Sequence, residues 1–211
     1  SARGPSEREM QAVESIVPQI KKLHDLKICA CLGLLDDEQA QRLKAAGVDR
    51  VNHNLNSSPD FYPEICSTHD YQDRLDTLGS VRRAGLEICS GGIIGMGEKE
   101  ENVVAMALGH RAQQAASIPL NFLNPIEGTP LAGQDDLTPQ YCLKTLAMFR
   151  FVNPDSEIRI AGGRELHLGS LQPLGLYAAN SIFVGDYLTT PGQAAYFSLY
   201  SLVDAVVHVS V

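Results

Sequence analysis

Two cysteines are the residues whose type and setting could support the most distinctive chemistry in this chain. Cys29 and Cys89 stand 60 residues apart, each inside a short apolar run, at 26–35 and 86–95. A buried free thiol is ordinarily inert core, whereas a thiolate is a ligand for soft metals and iron–sulfur clusters. The two residues are therefore either structural cysteines on two strands or part of a metal centre assembled from distant segments.

The remaining cysteines are Cys31, Cys66 and Cys142. Cys31 has the strand parity of Cys29, so the pattern leaves open which of the two faces inward. Cys66 and Cys142 fall in a predicted loop and a predicted helix, and both are expected to be structural. An odd number of cysteines, with no apolar leader in 1–10, favours a reducing compartment such as the cytoplasm over a disulfide framework.

Arg159 lies between two isoleucines in EIRIAGG, which is typical of a strand with one inward-facing charge. Because an unpaired buried charge is costly, Arg159 requires either a carboxylate inside the fold or an anion or electron-rich cofactor. Asn121 is likewise set among apolar residues, in IPLNFL. Its buried amide needs hydrogen-bond partners, and a ligand ring could supply them.

Polar side chains alternate with others along the stretch VNHNLNSS. A strand in this stretch would place Asn52, Asn54 and Asn56 on one face and His53 on the other. Three amides on one face suit hydrogen bonding to a polar ligand such as a ribose or an amino acid, and the alternative is an ordinary strand-end turn. His53 is expected to be a structural histidine.

The stretch LEICSGGIIGMGE, residues 86–98, combines Cys89 with four glycines. Glycine lets the backbone approach a ligand closely. The stretch matches neither the GxGxxG fingerprint nor the P-loop, which ends in Lys-Ser/Thr. By composition alone it predicts a strand-to-helix turn rather than a nucleotide-binding loop.

The overall composition narrows the class of protein. An apolar content of 44% and a charged content of 20% are typical of an ordinary globular chain. The formal net charge is −8, and no stretch is rich in Lys and Arg. Because neutralising phosphates requires clustered basic residues, the chain is not expected to bind nucleic acids.

Short β-like runs alternate with amphipathic stretches along the chain. Helices are predicted at 7–26, 36–47, 71–85, 99–115 and 138–154, and strands at 26–35, 49–56, 86–95, 118–123, 157–162 and 180–188. Regular βα alternation predicts parallel strands joined by right-handed crossovers, and hence an α/β fold. Six strands fit an incomplete (β/α)8 barrel or a doubly wound open sheet, and the count alone does not decide between them.

The polar residues of the strands favour the barrel. Five consecutive strands carry them, within or at the ends of the apolar runs: Cys29, Asn52 and Asn54, Cys89, Asn121, and Arg159. In a barrel such side chains converge on one mouth, where active sites are built. In an open sheet they would concentrate at a single switch point instead.

Taken in order, several stretches resemble the biotin synthase family of radical S-adenosylmethionine enzymes. The resemblance covers about residues 3–192 and rests on LKICACLGLL, GVDRVNHNLN, ICSGGIIGMGE, IPLNFLNPIEGTPL, EIRIAGGRE and LQPLGLYAANSIFVGDYLTT. Gly91, Ile93, Gly95 and Glu98 match the family's GxIxGxxE motif, which abuts adenosylmethionine in that family.

The resemblance implies a TIM-type (β/α)8 barrel that forms a cytoplasmic homodimer and inserts sulfur into dethiobiotin to give biotin. It also implies two iron–sulfur clusters. A [4Fe–4S] cluster, fed by a reductant such as flavodoxin or ferredoxin, cleaves S-adenosylmethionine, and the resulting radical abstracts hydrogen from the substrate. A [2Fe–2S] cluster is the proposed sulfur donor. No nucleic-acid or membrane partner is implied.

The same resemblance implies roles for individual residues. Cys29, Cys89 and Arg159 would be ligands of the [2Fe–2S] cluster. Asn52 and Asn121 would bind the substrate, with Asn121 at its ureido ring. Five residues would contact adenosylmethionine: Asn54, Asn56, Gly91, Ile93 and Gly95.

The chain also departs from the family pattern. No three cysteines have the CxxxCxxC spacing that holds the [4Fe–4S] cluster, and the third cysteine of the [2Fe–2S] site has no counterpart. Asn56 stands where some relatives have Asp. We therefore expect residues 1–193 to form a partial barrel that lacks the first two strands and is inactive by itself.

Residues 194–211 do not resemble the polar tail of the family. Their length is near the lower limit for a membrane span, but Asp204 and His208 argue against one. The pattern favours an altered end of the chain over a genuine C-terminal helix.

Two other functions stay open from the sequence. One is another radical enzyme built on the same barrel. The presence of Arg159 together with Cys29 and Cys89 argues against it, because the arginine ligand is peculiar to the biotin synthase family. The other is a non-catalytic barrel remnant that binds a small ligand or a partner subunit.

Overall fold

The computed structural model describes residues 3–184 and 206–209, in which helices and strands alternate as the sequence predicts. The helices are α1 (Glu7–Leu23), α2 (Asp37–Ala46), α3 (Tyr62–Ile65), α4 (Tyr71–Arg83), α5 (Glu100–Ala112), α6 (Pro139–Val152), α7 (Arg164–Leu168) and α8 (Gln172–Gly175), with a 3-10 turn at Gly169–Leu171. The strands are β1 (Cys29–Ala30), β2 (Arg50–Asn52), β3 (Glu87–Cys89), β4 (Gly92–Ile94), β5 (Ser117–Phe122), β6 (Glu157–Ile160), β7 (Ser181–Val184) and β8 (Val206–Val209).

The strands form one parallel sheet whose order follows the chain. The order is β1-β2-β3-β5-β6-β7-β8, and β4 continues the line of β3 by pairing with β5. A doubly wound sheet would reverse direction at a switch point, whereas a barrel adds each new strand beside the previous one. The sheet curls but stays open, with β1 and β8 at its edges. The fold is therefore an incomplete (β/α)8 barrel, as predicted.

Alternation along the strands separates an apolar outer face from a polar inner face. The outward residues Val51, Ile88, Ile118, Ile158 and Ile182 are at most 3% exposed and join the apolar core with the helices. Their strand neighbours point inward and carry most of the polar groups of the sheet. Because successive strand residues point to opposite faces, the core holds the strands in place while the inner face is left for chemistry.

The helix ends are set by local capping. Ser6, Asp36 and Asp70 each accept a hydrogen bond from a backbone amide of the first turn of α1, α2 and α4, respectively. Gly47 ends α2 in the left-handed conformation, with φ of 97°. These caps satisfy amides and carbonyls that would otherwise lack partners at the helix ends.

Several strands differ from the prediction in detail, and β1 spans only Cys29–Ala30 of the strand predicted at 26–35. The strand predicted at 86–95 is divided into β3 and β4 at Ser90 and Gly91, where the chain passes close to β5. The strand predicted at 49–56 ends at Asn52, and only an isolated bridge joins Asn56 to Gly92. Strand β8, which pairs with β7, was not predicted.

The C-terminal expectations fall mostly outside the described residues. The end of the strand predicted at 180–188, the domain boundary at 193, and the tail from 194 onward apart from β8 all lie in that part of the chain. Within the described residues, no helix has both the length and the apolar character needed to cross a membrane.

Candidate functional site

The structure brings Cys29, Cys89 and Arg159 together on the inner face, although they come from β1, β3 and β6. Cys29 lies close enough to Cys89 for each thiol to shift the pKa of the other, and the Arg159 charge acts on the Cys89 sulfur. Asn52 Nδ2 donates to Cys89 Sγ over 3.3 Å. We call Cys29, Asn52, Cys89, Ser117 and Arg159 the thiol cluster.

The two thiols of this cluster differ in acidity. The neighbouring Cys29 thiol is the largest cause that lowers the pKa of Cys89, followed by the Arg159 charge and the hydrogen bond from Asn52, and together they outweigh the effect of burial. The pKa of Cys29 is raised, mainly through its interaction with Cys89. Cys89 is therefore the more acidic thiol of the pair, and the thiolate is the form that binds metals.

Cys29 and Cys89 also differ in their access to solvent. Cys89 is 1% exposed, whereas Cys29 is exposed on the edge strand β1. The structure thus separates Cys29 from Cys31, which the sequence could not. Cys31 is also exposed, but its Sγ lies 3.8 Å from Asn52 Oδ1 and it takes no part in the contact with Cys89.

Arg159 is 5% exposed and is held from several sides. It forms an ion pair with Glu157, its Nε donates to Ser181 Oγ over 3.0 Å, and its guanidinium carbon lies 5.0 Å from the centre of the Phe183 ring. The carboxylate partner considered in the sequence is therefore present. The charge of Arg159 nevertheless lowers the pKa of Cys89, so the ion pair does not remove its influence on the thiol cluster.

A charged group at the start of the strands was missed in the sequence. Arg50 Nη2 lies 2.8 Å from Glu87, and its Nη1 lies 3.3 Å from Glu157. Glu157 in turn contacts Arg159, so a chain of charges links β2, β3 and β6 beneath the thiol cluster. A signal was available, because Arg50, Glu87 and Glu157 each precede a thiol-cluster residue by two positions and must share its face.

The predicted adenosylmethionine and substrate amides lie at or beyond the ends of the same strands. Asn54 Oδ1 accepts from the Gly91 amide over 2.9 Å. Asn121 Nδ2 donates to the Gly92 carbonyl over 3.2 Å, and its Oδ1 accepts from the Gly162 amide over 3.0 Å. We call Asn54, Asn56, Asn121 and the loop 91–98 the amide cluster. The Asn54 side chain joins the segment after β2 to the segment after β3. The Asn121 side chain joins β5 to β4 and to the segment after β6.

The backbone of the loop 91–98 is closely packed. A Cβ atom on Gly91 would lie 1.9 Å from the Pro119 carbonyl oxygen, so only glycine fits there. Ile93 takes part through its backbone, because its amide donates to the Asn56 carbonyl over 2.9 Å. Gly95 has a φ of 99°, and its amide and that of Met96 donate to the Glu98 carboxylate over 2.7 Å each.

The predicted alternation of the three asparagines holds only in part. Asn52 lies in β2 and belongs to the thiol cluster, whereas Asn54 lies past the end of that strand. Asn56 has a φ of 66°, so the chain turns there and simple strand alternation no longer applies. Asparagine tolerates this left-handed conformation better than most residues. His53 is 3% exposed, as expected for a structural histidine.

The donor chemistry of the thiol cluster fits part of an iron–sulfur site. Two thiols lie close enough to shift each other's pKa, one of them is stabilised as the thiolate, and a guanidinium acts on it. Thiolates are the ligands that iron–sulfur clusters use. Among the described residues no group of three His, Cys, Asp or Glu side chains forms a metal site. The [4Fe–4S] cluster finds no matching ligand motif in the sequence.

Two family models match the chain over nearly all of the described residues. The radical SAM superfamily model matches residues 5–108, which contain the thiols and the glycine loop. The biotin and thiamin synthesis associated domain matches residues 119–200, which contain Asn121 and Arg159. Radical SAM and biotin synthase relatives imply iron–sulfur clusters and S-adenosylmethionine in general.

The chain is also similar to curated relatives named biotin synthase. It is 68% identical to biotin synthase of Rhodopirellula baltica over 92% of this chain and 54% of the relative. It is 57% identical to biotin synthase of Anoxybacillus flavithermus over 97% of this chain and 62% of the relative. The chain thus spans little more than half of the length of these relatives.

Solved structures support the fold independently. A methylornithine synthase, PylB, superposes with a TM-score of 0.73 at 19% identity and covers 94% of this chain and 59% of that one. The FeFe-hydrogenase maturase HydG of Carboxydothermus hydrogenoformans superposes with a TM-score of 0.72 at 18% identity, over 92% of this chain and 49% of that one. The family models and the relatives named biotin synthase place the chain in the biotin synthase family of radical SAM proteins, and the chain spans part of the length of those relatives.

Proposed function

We propose that the protein to which this chain belongs is a biotin synthase that inserts sulfur into dethiobiotin. The observation that carries the proposal is the convergence of Cys29, Cys89 and Arg159 from three separate strands onto one inner face. Similarity to relatives named biotin synthase supports the same reaction. When bound, the clusters and adenosylmethionine supply the radical that removes hydrogen from the substrate and the sulfur that replaces it.

In this proposal the thiol cluster holds the [2Fe–2S] cluster. Cys89 is the thiol already stabilised as a thiolate, and Cys29 gives up its proton when a metal binds, because thiols ligate metals only after deprotonation. Arg159 provides a fixed cation beside both sulfurs. Asn52 donates to Cys89 and orients it, as hydrogen bonds to metal ligands commonly do.

The amide cluster binds adenosylmethionine and substrate in the same proposal. The backbone around Asn54, Asn56, Gly91, Ile93 and Gly95 is fixed by internal hydrogen bonds, which keeps its remaining polar groups in place for a ligand. For dethiobiotin we propose Asn52 and Asn121. Each end of the Asn121 amide already holds one backbone group, and it retains one N–H and one lone pair for a ureido ring.

The proposal includes the partners implied by the family. These are a homodimer, a reductant such as flavodoxin or ferredoxin, and a [4Fe–4S] cluster whose ligands lie outside this chain. The compartment is the cytoplasm. All five cysteines are free, which supports a reducing environment. This chain by itself is expected to form no 5′-deoxyadenosine.

The test replaces single thiols in the whole protein, numbered as here. Cys89→Ser removes the thiolate, so we expect the absorbance of the [2Fe–2S] cluster to disappear and biotin formation to fall by at least about 100-fold. Cys31→Ser is the matched control, because Cys31 is an exposed thiol beside Cys29 that makes no contact with Cys89. It should retain both signals.

A second measurement separates the proposal from a non-catalytic ligand-binding barrel. Dethiobiotin and adenosylmethionine should each raise the midpoint of thermal unfolding of the whole protein, because a ligand that binds only the folded state stabilises it. Midpoint shifts together with full biotin formation by the Cys89→Ser variant would refute the role of the thiol cluster. Midpoint shifts without biotin formation by the unchanged protein would support the non-catalytic alternative.

A further inference from the structure

A second group of reactive side chains lies next to the amide cluster, at the turn between α3 and α4. Cys66 Sγ lies 3.4 Å from His69 Nδ1 and 3.6 Å from Thr68 Oγ1, and Thr68 Oγ1 lies 3.0 Å from the same ring nitrogen. On the other side of the ring, His69 Nε2 lies 2.9 Å from Arg74 Nη2 and 3.0 Å from the Tyr62 hydroxyl. We call these five residues the Cys66 group.

Arg74 determines which nitrogen of His69 carries the proton. A guanidinium only donates hydrogen bonds, so His69 Nε2 must accept from it. Burial and the Arg74 charge both lower the pKa of His69, which keeps the ring neutral. The one ring proton is therefore on Nδ1, where it points to the Thr68 oxygen and the Cys66 sulfur.

The same contacts stabilise the Cys66 thiolate. Burial raises the pKa of Cys66, but the Thr68 hydroxyl and the other polar groups of Thr68, His69 and Tyr62 outweigh burial and lower the pKa to about 7. Arg74 is 6% exposed, and besides contacting His69 it donates from Nη1 to the Asn54 carbonyl over 2.7 Å. The group is thus rigidly connected to the end of β2.

Cys66 is reachable from solvent. Its side chain is partly exposed, and it lines a surface pocket of about 690 Å³ together with Pro59, His69, Tyr71 and the acidic residues Asp70 and Asp73. The two carboxylates disfavour anionic reagents such as disulfides of acidic peptides. A small neutral oxidant meets no such barrier.

We propose that Cys66 is an oxidation site that reacts with hydrogen peroxide to give a sulfenic acid. The group of Thr68, His69, Tyr62 and Arg74 activates the thiol, and the acidic pocket selects a small neutral oxidant. This role replaces the structural one expected from the sequence, and it is independent of the proposed sulfur insertion.

The reaction balances without a further reagent. The Cys66 thiolate sulfur attacks one peroxide oxygen, an S–O bond forms, and the O–O bond breaks. The sulfur loses two electrons and the peroxide gains them. The oxygen bonded to sulfur keeps its hydrogen, which gives the sulfenic acid, and the other leaves as hydroxide.

The test follows each cysteine separately in the 211-residue chain. The protein is exposed to equimolar hydrogen peroxide at pH 7 with dimedone, which traps sulfenic acids, and peptides are quantified by mass spectrometry. The lower pKa of Cys66 gives it a larger thiolate fraction, which speeds the reaction, but it also makes that thiolate less nucleophilic. Together the two effects predict labelling of Cys66 about fourfold faster than labelling of the exposed Cys31. In concentrated urea this advantage should disappear, because the contacts of the Cys66 group are lost.

Two substitutions test the activating group. His69→Leu removes the Nδ1 donor and should measurably slow labelling of Cys66, but not fully to the Cys31 rate, because the Thr68 hydroxyl remains. His69→Asn places an amide N–H near the same position and should retain most of the wild-type rate. Labelling of Cys66 no faster than Cys31 in the folded wild-type chain would overturn the proposal, and so would a wild-type rate in the His69→Leu variant.

Discussion

The thiol cluster and the amide cluster lie only two residues apart along shared strands, from Asn52 to Asn54 and from Cys89 to Gly91, but different forces hold them. In the thiol cluster an ion pair, a guanidinium and two neighbouring thiols set the arrangement. In the amide cluster, neutral side chains and backbone groups bond to one another, with Glu98 closing the loop.

This difference separates the part of the site that is complete in the chain from the part that is not. The backbone groups of the amide cluster find their partners within residues 54–162, so its shape follows from the packing of this chain. The thiol cluster places charged groups on a largely buried inner face, and burying a charge is favourable only when compensating groups surround it. Its chemistry is thus sensitive to each charge around it.

The comparison predicts its largest effect at the closest backbone approach in the amide cluster. Gly91→Ala would place a Cβ atom 1.9 Å from the Pro119 carbonyl oxygen, so β3 or β5 must move. We expect a loss of at least about 4 kcal/mol in the free energy of unfolding, measured by urea denaturation, because backbone atoms cannot relax as a side chain can.

Gly133→Ala is the control for this prediction. Gly133 has no heavy atom within 4 Å of its ideal Cβ position, apart from its chain neighbours, so the extra methyl group meets open space. Its effect should stay within about 0.5 kcal/mol. Equal stability of the two variants would mean that the loop 91–98 is not closely packed against β5.

The charges beneath the thiol cluster are expected to have the next largest effect. Arg50 is the cation shared by Glu87 and Glu157, and its side chain is only 16% exposed. Arg50→Met retains most of the side-chain length but leaves both carboxylates without this partner. We expect unfolding to become easier by about 2–3 kcal/mol, because a partly buried carboxylate loses its compensation.

Lys144→Met applies the same kind of change to an ion pair in water. Lys144 and Glu100 are 65% and 66% exposed, and pairs of this kind contribute little. Its effect should be at most about 0.5 kcal/mol. Should Arg50→Met cost no more than Lys144→Met, the thiol cluster would not depend on the charges beneath it.

Much of the fold was predictable because it follows from local periodicity. The six apolar runs became parallel strands in chain order, and Cys29, Cys89, Asn121 and Arg159 lie in them as expected. Strand alternation alone also indicates that Arg159 and Glu157 share a face. That the two thiols lie close enough to shift each other's pKa is a property of the curled sheet, and their 60-residue separation in the sequence did not indicate it.

The parts that were not predictable depend on contacts between segments. The division of β3 from β4 follows from the approach of Gly91 to Pro119 on another strand, and no local pattern encodes that distance. The turn at Asn56 replaces a strand residue by a left-handed one. The activation of Cys66 requires Arg74 from α4 to orient His69, so the separate residues in the sequence indicated only a loop cysteine.

The smallest predicted effect concerns acid, and it tests a buried histidine next to the amide cluster. His110 on α5 is fully buried, its Nδ1 donates to the Met106 carbonyl over 2.8 Å, and its ring lies close to the Gly91 carbonyl. Burial lowers the pKa of His110 to about 4, although its hydrogen bonds oppose this. The unfolded chain, with a histidine pKa of about 6.5, therefore binds a proton that the folded chain excludes.

The sign follows from this difference in proton binding. The contribution of His110 to stability is fully present above about pH 6.5 and is lost as the pH falls from there towards 4, since the unfolded state then binds more protons. Between pH 7 and pH 5.5 the loss from this residue is about 1 kcal/mol. His110→Asn preserves a donor near the Nδ1 position but does not titrate, so its free energy of unfolding should fall by about 1 kcal/mol less than that of the wild type over this interval. Identical pH dependence of the two proteins would show that the amide cluster does not rest on a neutral buried imidazole.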